Sequence, residues 1–556
     1  MGLNIPVGIS DFEKIRSNGY YYVDKSGMLT ELLKTESTEV TLITRPRRFG
    51  KTLGMSMLSS FFDIRKDSRA LFDGLEITGH TALCDKWMNQ YPTIFLSLKD
   101  VDGLTFSSAY EMLSATVSDL YKEHLYLLDS EKVNSYDKEL IRRIAAGDAT
   151  VTDIKKSVAL LIRTMSVHYG KPVVFLLDEY DVPAAKASSH GYYANMLEVI
   201  RAMLSTALKD NRYLQFSVIT GCLKIAKESI FTGTNHFVSD TMSSSGFNEY
   251  FGFTEDDVRK LLQDAGMESR AEMMKAWYDG YHFGNMNVYC PWDVMNYLRD
   301  LQRDPAAKPA GYWKNTSDNA VIRSFIDHAG ASITGKLETL MAGGCIVQRI
   351  EEELTYDYLH SSEDNFWSIL YLTGYLTSVR TDASEKPASE EFSTLTIPNT
   401  EIREIFETTV KTWFTESAGT WNRKKLFDAV WNGDQETVTR EMNVLLRRTI
   451  SYYDYREDFY HAFLAGIFTG AGYMVDSNKE RGEGRSDVAV IDSQGGRAAV
   501  FEVKCSKTSE KMEDDCRTAL QQIDERMYAR ELEDNYGQVL CFGISFFKKR
   551  CLVRKK

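Results

Sequence analysis

Between about residues 40 and 220, short apolar runs alternate with amphipathic stretches. Val40 to Thr44, Ile94 to Leu98, Val173 to Leu177 and Leu214 to Ile219 have the length and composition of buried strands. Between the second and third, Ile154, Val158, Leu161, Ile162 and Met165 recur at helical spacing, and Gly170 and Pro172 stop the helix they define. Strands that alternate with helices in this way predict a parallel α/β sheet.

From about 250 to 375 the pattern turns mostly helical and aromatic-rich. Trp277-Tyr278-Asp279-Gly280-Tyr281-His282-Phe283 is its densest cluster, and clustered aromatics favour a packed helix end and turn over a ligand site. The polar stretch Thr381 to Glu391 predicts a loop. Helical patterns continue to about 450, where a second α+β unit begins. The expected domains are 1–250, 251–420 and 421–556. Within the last, Ser486 to Ile491 and Arg497 to Lys504 predict a hairpin around Asp492 to Gly496.

Composition narrows the class. The 66 basic and 79 acidic side chains leave a net charge of -13, so the whole molecule repels polyanions and any nucleic-acid site must be a local basic patch. Arg45 to Lys51 is such a patch; Lys548 to Lys556 is either another or a solvated final strand with a frayed tail. The 8 cysteines show no CxxC spacing, which argues against zinc ribbons and disulfides and for a reducing cytoplasm. No signal peptide and no run of about 18 apolar residues is evident, so a cytoplasmic protein without a membrane segment is expected.

The chemistry begins after the first strand. Gly50-Lys51-Thr52 follows it through a tight loop and opens a helix to Phe62, the order of a phosphate-binding P-loop. There, backbone N–H groups cradle phosphates, the lysine bridges the terminal ones and the hydroxyl holds Mg²⁺. The usual pattern has glycine where this chain has Arg45. A second element supports the first: the apolar strand from Val173 ends in Asp178 and Glu179, placing one carboxylate to hold Mg²⁺ and the next to polarise the attacking water. The fourth strand ends at Thr220, placed like a γ-phosphate sensor, with Lys224 and Lys227 following.

Arg45-Pro46-Arg47-Arg48-Phe49-Gly50-Lys51-Thr52, Leu177-Asp178-Glu179-Tyr180-Asp181, Thr220-Gly221 and Ser229-Ile230-Phe231-Thr232-Gly233 resemble the AAA-ATPase-like family of P-loop proteins. Trp277 to Tyr281 is similar to its downstream signature. In that family the arginine at position 45 belongs to the usual loop. The resemblance implies a P-loop NTPase sheet followed by a helical middle region, with ATP and Mg²⁺ as cofactors. It implies Arg47, Arg48, Gly50, Lys51, Thr52, Asp178 and Thr220 as nucleotide-binding residues, Thr52 and Asp178 at the metal, and Glu179 as a catalytic group. Lys224 stands where arginine would be expected.

In the hairpin, a turn centred between Gln494 and Gly495 sets Asp487 opposite Glu502. Directly opposed carboxylates lie about 5 Å apart at Cβ and repel unless a cation sits between them. Period-2 alternation puts Lys504 on the Glu502 face, where it can orient or deprotonate water or stabilise charge. The pattern resembles the PD-(D/E)XK nuclease superfamily, including its Gly-rich approach at Gly482 to Asp487 and its downstream helix with Gln522 and Tyr528. It implies a restriction-endonuclease-like α/β domain with Asp487, Glu502 and Lys504 catalytic and Asp487 and Glu502 at the metal. Upstream, Tyr460, Phe463, Leu464, Ile467 and Phe468 mark one helix face, with Glu457 and His461 on or beside it. Glu457 suits either a metal ligand or an acid favoured by the helix dipole.

The expected whole is an ATPase whose nucleotide state regulates Mg²⁺-dependent cleavage of nucleic acid, DNA favoured, with a possible homo-oligomer. The rivals are a nucleotide-gated binding module with an inactive nuclease fold, and an ATPase whose tail serves only assembly.

Overall fold

The computed structural model describes residues 3–35, 37–224, 237–313, 336–337, 339–341, 343–354, 362–379, 392–408, 424–449, 457–469, 473–481, 484–493, 495–527, 529–548 and 550–556. Contacts divide the chain into two compact units, Met1–Ser317 with Val347–Arg403, and Asp318–Ile346 with Glu404–Lys556. These divisions fall elsewhere than the sequence boundaries at 250/251 and 420/421.

The first unit is built on five parallel strands: β1 (Val40–Thr44), β2 (Thr93–Ser97), β3 (Val173–Asp178), β4 (Leu214–Gly221) and β5 (Phe237–Asp240), in the order β2-β3-β4-β1-β5. Alternation splits each strand between two cores. Val173, Phe175 and Leu177 face helices Phe106–Lys122, Val151–Tyr169 and Tyr193–Leu208, while Val174 and Leu176 face helix Lys51–Phe62 and the N-terminal helices. A fully buried side chain of this kind stabilises by about 1.5–3 kcal/mol, so a sheet covered on both faces holds its strand ends firmly. The helix expected around Ile154 runs Val151–Tyr169, capped by Thr150 and closed by Gly170 in the left-handed conformation at φ 69°. β4 lies between β1 and β3, so its end delivers side chains between the P-loop and the acids of β3.

After the sheet come helices Glu255–Ala265, Ala271–Tyr278 and Pro291–Arg303, with a small hairpin, β6 (Tyr281–Phe283) and β7 (Met286–Val288), set among them. A three-stranded sheet of β8 (Ile346–Arg349), β9 (Thr377–Ser378) and β10 (Phe392–Thr396), with helix Glu363–Leu372, completes the helical middle. The loop expected at Thr381 to Glu391 lies outside the described residues.

The second unit carries a mixed sheet of β11 (Met474–Arg481), β12 (Gly484–Asp492), β13 (Arg497–Cys505), β14 (Gln538–Phe547) and β15 (Arg550–Lys555), in chain order, with only β13 and β14 parallel. Helices Lys424–Asn432, Gln435–Thr449 and Glu457–Thr469 cover the face of Phe501 and Val503. Helix Met512–Glu525 covers the face of Ala498 and Val500. The basic tail read between Lys548 and Lys556 is mostly β15, paired with β14.

Candidate functional site

The loop between β1 and helix Lys51–Phe62 closes on Gly50, whose φ of 87° is open to glycine and strained for other residues. Lys51 is buried at the helix start, and its Nζ donates to the carbonyl oxygens of Arg45 and Pro46 at 3.0 and 2.9 Å. It also lies 3.7 Å from both Cys222 Sγ and Glu179 Oε1. Burial alone would weaken its hold on a proton, but Cys222, Glu179, Asp181 and Asp178 around it reverse that, and its pKa is raised. Lys51 therefore stays an ammonium at the point where anionic phosphates would arrive.

The edge of β3 meets that loop. Asp178 accepts from Thr52 Oγ1 at 2.8 Å and from Thr220 Oγ1 at 2.6 Å, so the helix start, β3 and β4 converge on one carboxylate. Burial raises the Asp178 pKa, with the two hydroxyl bonds pulling the other way. A hydroxyl and a carboxylate in contact form the donor pair that a hard divalent cation takes. Glu179 follows at φ 54°, a backbone strain of order 1–3 kcal/mol that turns its carboxylate toward Lys51. Two residues on, buried Asp181 accepts from the N–H groups of Cys222 and Leu223, both at 3.0 Å. A Cβ on Gly221 would stand 2.6 Å from the Tyr180 ring and 2.7 Å from Asp181, so only glycine lets β4 end this close to β3. Asp181 was not among the expected site residues, although it ends the acidic motif of β3. Lys224 bonds Glu353 at 2.8 Å, and Lys227 lies outside the described residues.

Arg45, Pro46, Arg48 and Phe49 dock on the end of β5 and on the segments that follow the sheet. Arg45 is fully buried, bonded to the Asp240 carboxylate and to the carbonyl of Thr241 at 2.8 Å, with its guanidinium 5.7 and 5.4 Å from the rings of Phe251 and Phe283. Gly374 packs on Pro46, where a Cβ would come within 2.9 Å. The Arg48 guanidinium lies 4.3 Å from the centre of the Trp292 ring, and Phe49 packs on Tyr281 and Phe283 at 4.9 and 5.0 Å. The aromatic block of residues 277–283 is thus core, with Tyr278, Tyr281 and Phe283 buried. Beside Trp292, buried Asp293 has its pKa pushed up to about 7 by burial, next to Cys290 and Glu401.

A cavity of about 540 Å³ opens along the loop, lined among others by Arg47, Lys51, Thr52, Glu179, Val7 and Trp292.

In the second unit the hairpin register pairs Val488 with Phe501 and Asp492 with Arg497, as the predicted turn centre requires. Asp487 Oδ2 accepts from the Val503 N–H at 2.8 Å, and Lys504 Nζ lies 3.2 Å from Glu502 Oε1. Glu502 is fully buried and its Oε2 has no hydrogen-bond partner among the described residues. Burial first, then Asp487, raises its pKa to about 7. An orphaned carboxylate oxygen beside a second carboxylate fits a divalent cation. Gly543, opposite Glu502 on β14, lets helix Met512–Glu525 close in: a Cβ there would lie 2.4 Å from the Cys516 carbonyl. Among the described residues no group of three or more His, Cys, Asp or Glu side chains could hold a metal. Glu457 opens helix Glu457–Thr469, but its side chain, like that of His461, lies outside the described residues, as do Gly482 and Tyr528. Gln522 lies on helix Met512–Glu525.

Comparison with known proteins matches two segments of the chain. Residues 6–231 match the family model described as "Predicted AAA-ATPase", and residues 455–556 match that of the PD-(D/E)XK nuclease superfamily. The chain joins an AAA-ATPase-like domain to a PD-(D/E)XK nuclease superfamily domain. Its P-loop and Asp178 fall in the AAA-ATPase-like match, and Asp487 to Lys504 in the nuclease-superfamily match. An uncharacterized protein in the vnfD 5' region of Azotobacter chroococcum mcd 1 is 24% identical over 554 residues, covering 98% of this chain and 96% of that protein. The two domains are of ATPase and nuclease hydrolase type, kinds that use nucleotides and divalent metals. Among the described residues no helix is long and apolar enough to cross a membrane.

Proposed function

We propose that the protein binds and hydrolyses ATP with Mg²⁺ and that its nucleotide state regulates Mg²⁺-dependent cleavage of nucleic acid, DNA favoured. The convergence of Thr52 and Thr220 on Asp178, beside Lys51 and Glu179, carries the first half of this reading. Lys51 and the N–H groups opening helix Lys51–Phe62 bind the phosphates, with Arg47 and Arg48 adding positive charge along the loop. Thr52 and Asp178 would hold Mg²⁺, which when bound neutralises charge on the phosphates. Glu179 orients and deprotonates the attacking water, and Thr220 senses the terminal phosphate through the carboxylate it shares. In the second unit, Asp487 and the orphaned Glu502 oxygen would hold the divalent ion, and Lys504 orients water or stabilises charge on the scissile phosphate.

A binding module with an inactive nuclease fold is the second reading. It is favoured by one observation: among the described residues no group of three or more His, Cys, Asp or Glu side chains is placed to hold a metal. Cleavage of single- and double-stranded DNA and RNA, with Mg²⁺ or Mn²⁺ and with ADP, ATP or a non-hydrolysable analogue, separates the two. Metal-dependent cleavage that changes with nucleotide and is lost in Asp487→Ala supports the first; cleavage by neither metal on any substrate leaves the second.

A further inference from the structure

Two lysines besides Lys51 line the cavity along the loop, Lys99 and Lys186. The sheet ties Lys99 to the chemistry. β2 runs beside β3, and its last residue, Ser97, pairs with Asp178. Ser97 Oγ lies 3.5 Å from Asp178 Oδ2, the same carboxylate oxygen that accepts from Thr52 at 2.8 Å. One position on, the Leu98 N–H donates to the Asp178 carbonyl at 3.0 Å and the Leu98 carbonyl accepts from the Val101 N–H at 3.1 Å, so the chain turns as soon as β2 ends. Lys99 lies in that turn and Glu179 is the first residue past β3, so both leave the same edge of the sheet from neighbouring strands.

Other cations near the loop are committed: Arg45 to Asp240, Arg48 to the Trp292 ring and Lys224 to Glu353, while Lys186 lies 3.3 Å from Asp102. The ion pair of Lys99 among the described residues is with its chain neighbour Asp100, at 4.0 Å, and the two side chains are 59% and 74% exposed. Solvent screens such a pair, and a lysine carries its charge on a flexible four-carbon stem, so the Lys99 ammonium can leave Asp100 for a phosphate. It shares the cavity wall with Lys51, Thr52 and Glu179, the groups that would surround the terminal phosphate.

We propose that Lys99 is a catalytic residue for ATP hydrolysis, its ammonium meeting the terminal phosphoryl group as that group is transferred to water. The proposal rests on the P-loop reading above and adds to it a cation delivered by the strand beside Glu179. In the step it serves, the water oxygen bonds to the γ-phosphorus and the water proton goes to Glu179. The bond from that phosphorus to the oxygen bridging the β-phosphate breaks, its electron pair leaving with ADP. Lys99 exchanges no proton; it acts by charge alone, on the oxygens around the phosphorus in transit.

The test compares Lys99→Met with wild type in three measurements on the full chain with Mg²⁺: ATP affinity by calorimetry, the rate of phosphate release, and binding of ADP with aluminium fluoride, which imitates the phosphoryl group in transit. Because the charge is felt in full only in transit, turnover is expected to fall about 100-fold and the ADP–fluoride complex to weaken by a similar factor, while ATP affinity stays within a fewfold. That retained affinity reports an intact fold. Lys99→Arg, which keeps the charge, is expected to turn over at least about tenfold faster than Lys99→Met. Full turnover in Lys99→Met, equal losses of ATP affinity and turnover, or no recovery in Lys99→Arg overturns the role while leaving the P-loop standing. A wild type that binds no ATP overturns the P-loop reading itself, and one that binds ATP without releasing phosphate overturns the role together with the hydrolysis it serves.

Discussion

Replacing Arg45 by glycine would give this loop the consensus form of a P-loop, and the structure says the change is harmful. Arg45 is buried with its charge on Asp240, so Arg45→Gly leaves an uncompensated carboxylate in the interior, a loss of about 3–5 kcal/mol. The contacts with Phe251 and Phe283 add about 0.5–1 kcal/mol each. A total of about 4–7 kcal/mol compares with the roughly 5–15 kcal/mol that holds a native domain together, so the variant sits near the edge of unfolding. Arg45→Met with Asp240→Leu removes both charges and is expected to recover most of that loss. Urea titration of the full chain, followed by hydrogen exchange at the amides of β1 and β4, measures both. ATP affinity in the double variant separates a structural arginine from a phosphate ligand: it should stay within a fewfold of wild type. An Arg45→Gly protein as resistant to urea as wild type, or a stable double variant without ATP affinity, would refute the reasoning.

Three further outcomes are expected. Lys51→Ala should abolish tight ATP binding, whereas Glu179→Gln should bind and fail to turn over; calorimetry beside a phosphate-release assay shows whether the two effects separate. At the hairpin, Glu502 titrates near 7 before a cation arrives, so divalent-ion affinity should rise about tenfold per pH unit below about 7 and level off above it. A Kd for Mn²⁺ that stays flat from about pH 5.5 to 8.5 would remove Glu502 from the site. For Asp293, raised to about 7 from an unfolded value near 3.8, the stabilisation is full below about pH 4 and is lost as pH rises through 7, on the order of 4 kcal/mol in all. Asp293→Asn should flatten that profile in the helix Pro291–Arg303, read by hydrogen exchange, and an unchanged profile would place the titration elsewhere.

The strands of the first sheet were legible because burial on both faces writes continuous apolar runs, and the acids of β3 stand at the end of one. The nuclease hairpin was legible because a two-strand register follows from its turn. β5 was missed: four residues at a sheet edge, Phe237, Val238, Ser239 and Asp240, carry too little pattern to stand out. The aromatic block was readable as core, but its packing against Phe49 was not, because local periodicity says nothing of a partner more than two hundred residues away. The burial of Arg45, read only as the start of a basic patch, was hidden for the same reason. An arginine in a basic loop looks solvated or phosphate-facing until Asp240 is brought beside it. Asp181 and Gly221 stand in the quoted motifs, but their roles depend on the close approach of β3 and β4, which spacing along the chain does not show.

The docking of the loop also sets an order of events during synthesis. Asp240 follows Arg45 by 195 positions, and Phe251, Tyr281, Phe283, Trp292 and Gly374 emerge later still. At about 5–20 residues per second, roughly 10–40 s pass before Arg45 meets its first charged partner. During that interval β1 and helix Lys51–Phe62 can form, but the loop between them lacks the contacts that shape it. A chain cut where the AAA-ATPase-like match ends, at residue 231, lacks every one of these partners. The loop is therefore encoded at the front of the chain and completed from its middle, and the smallest fragment able to hold it in this shape extends well past the sheet.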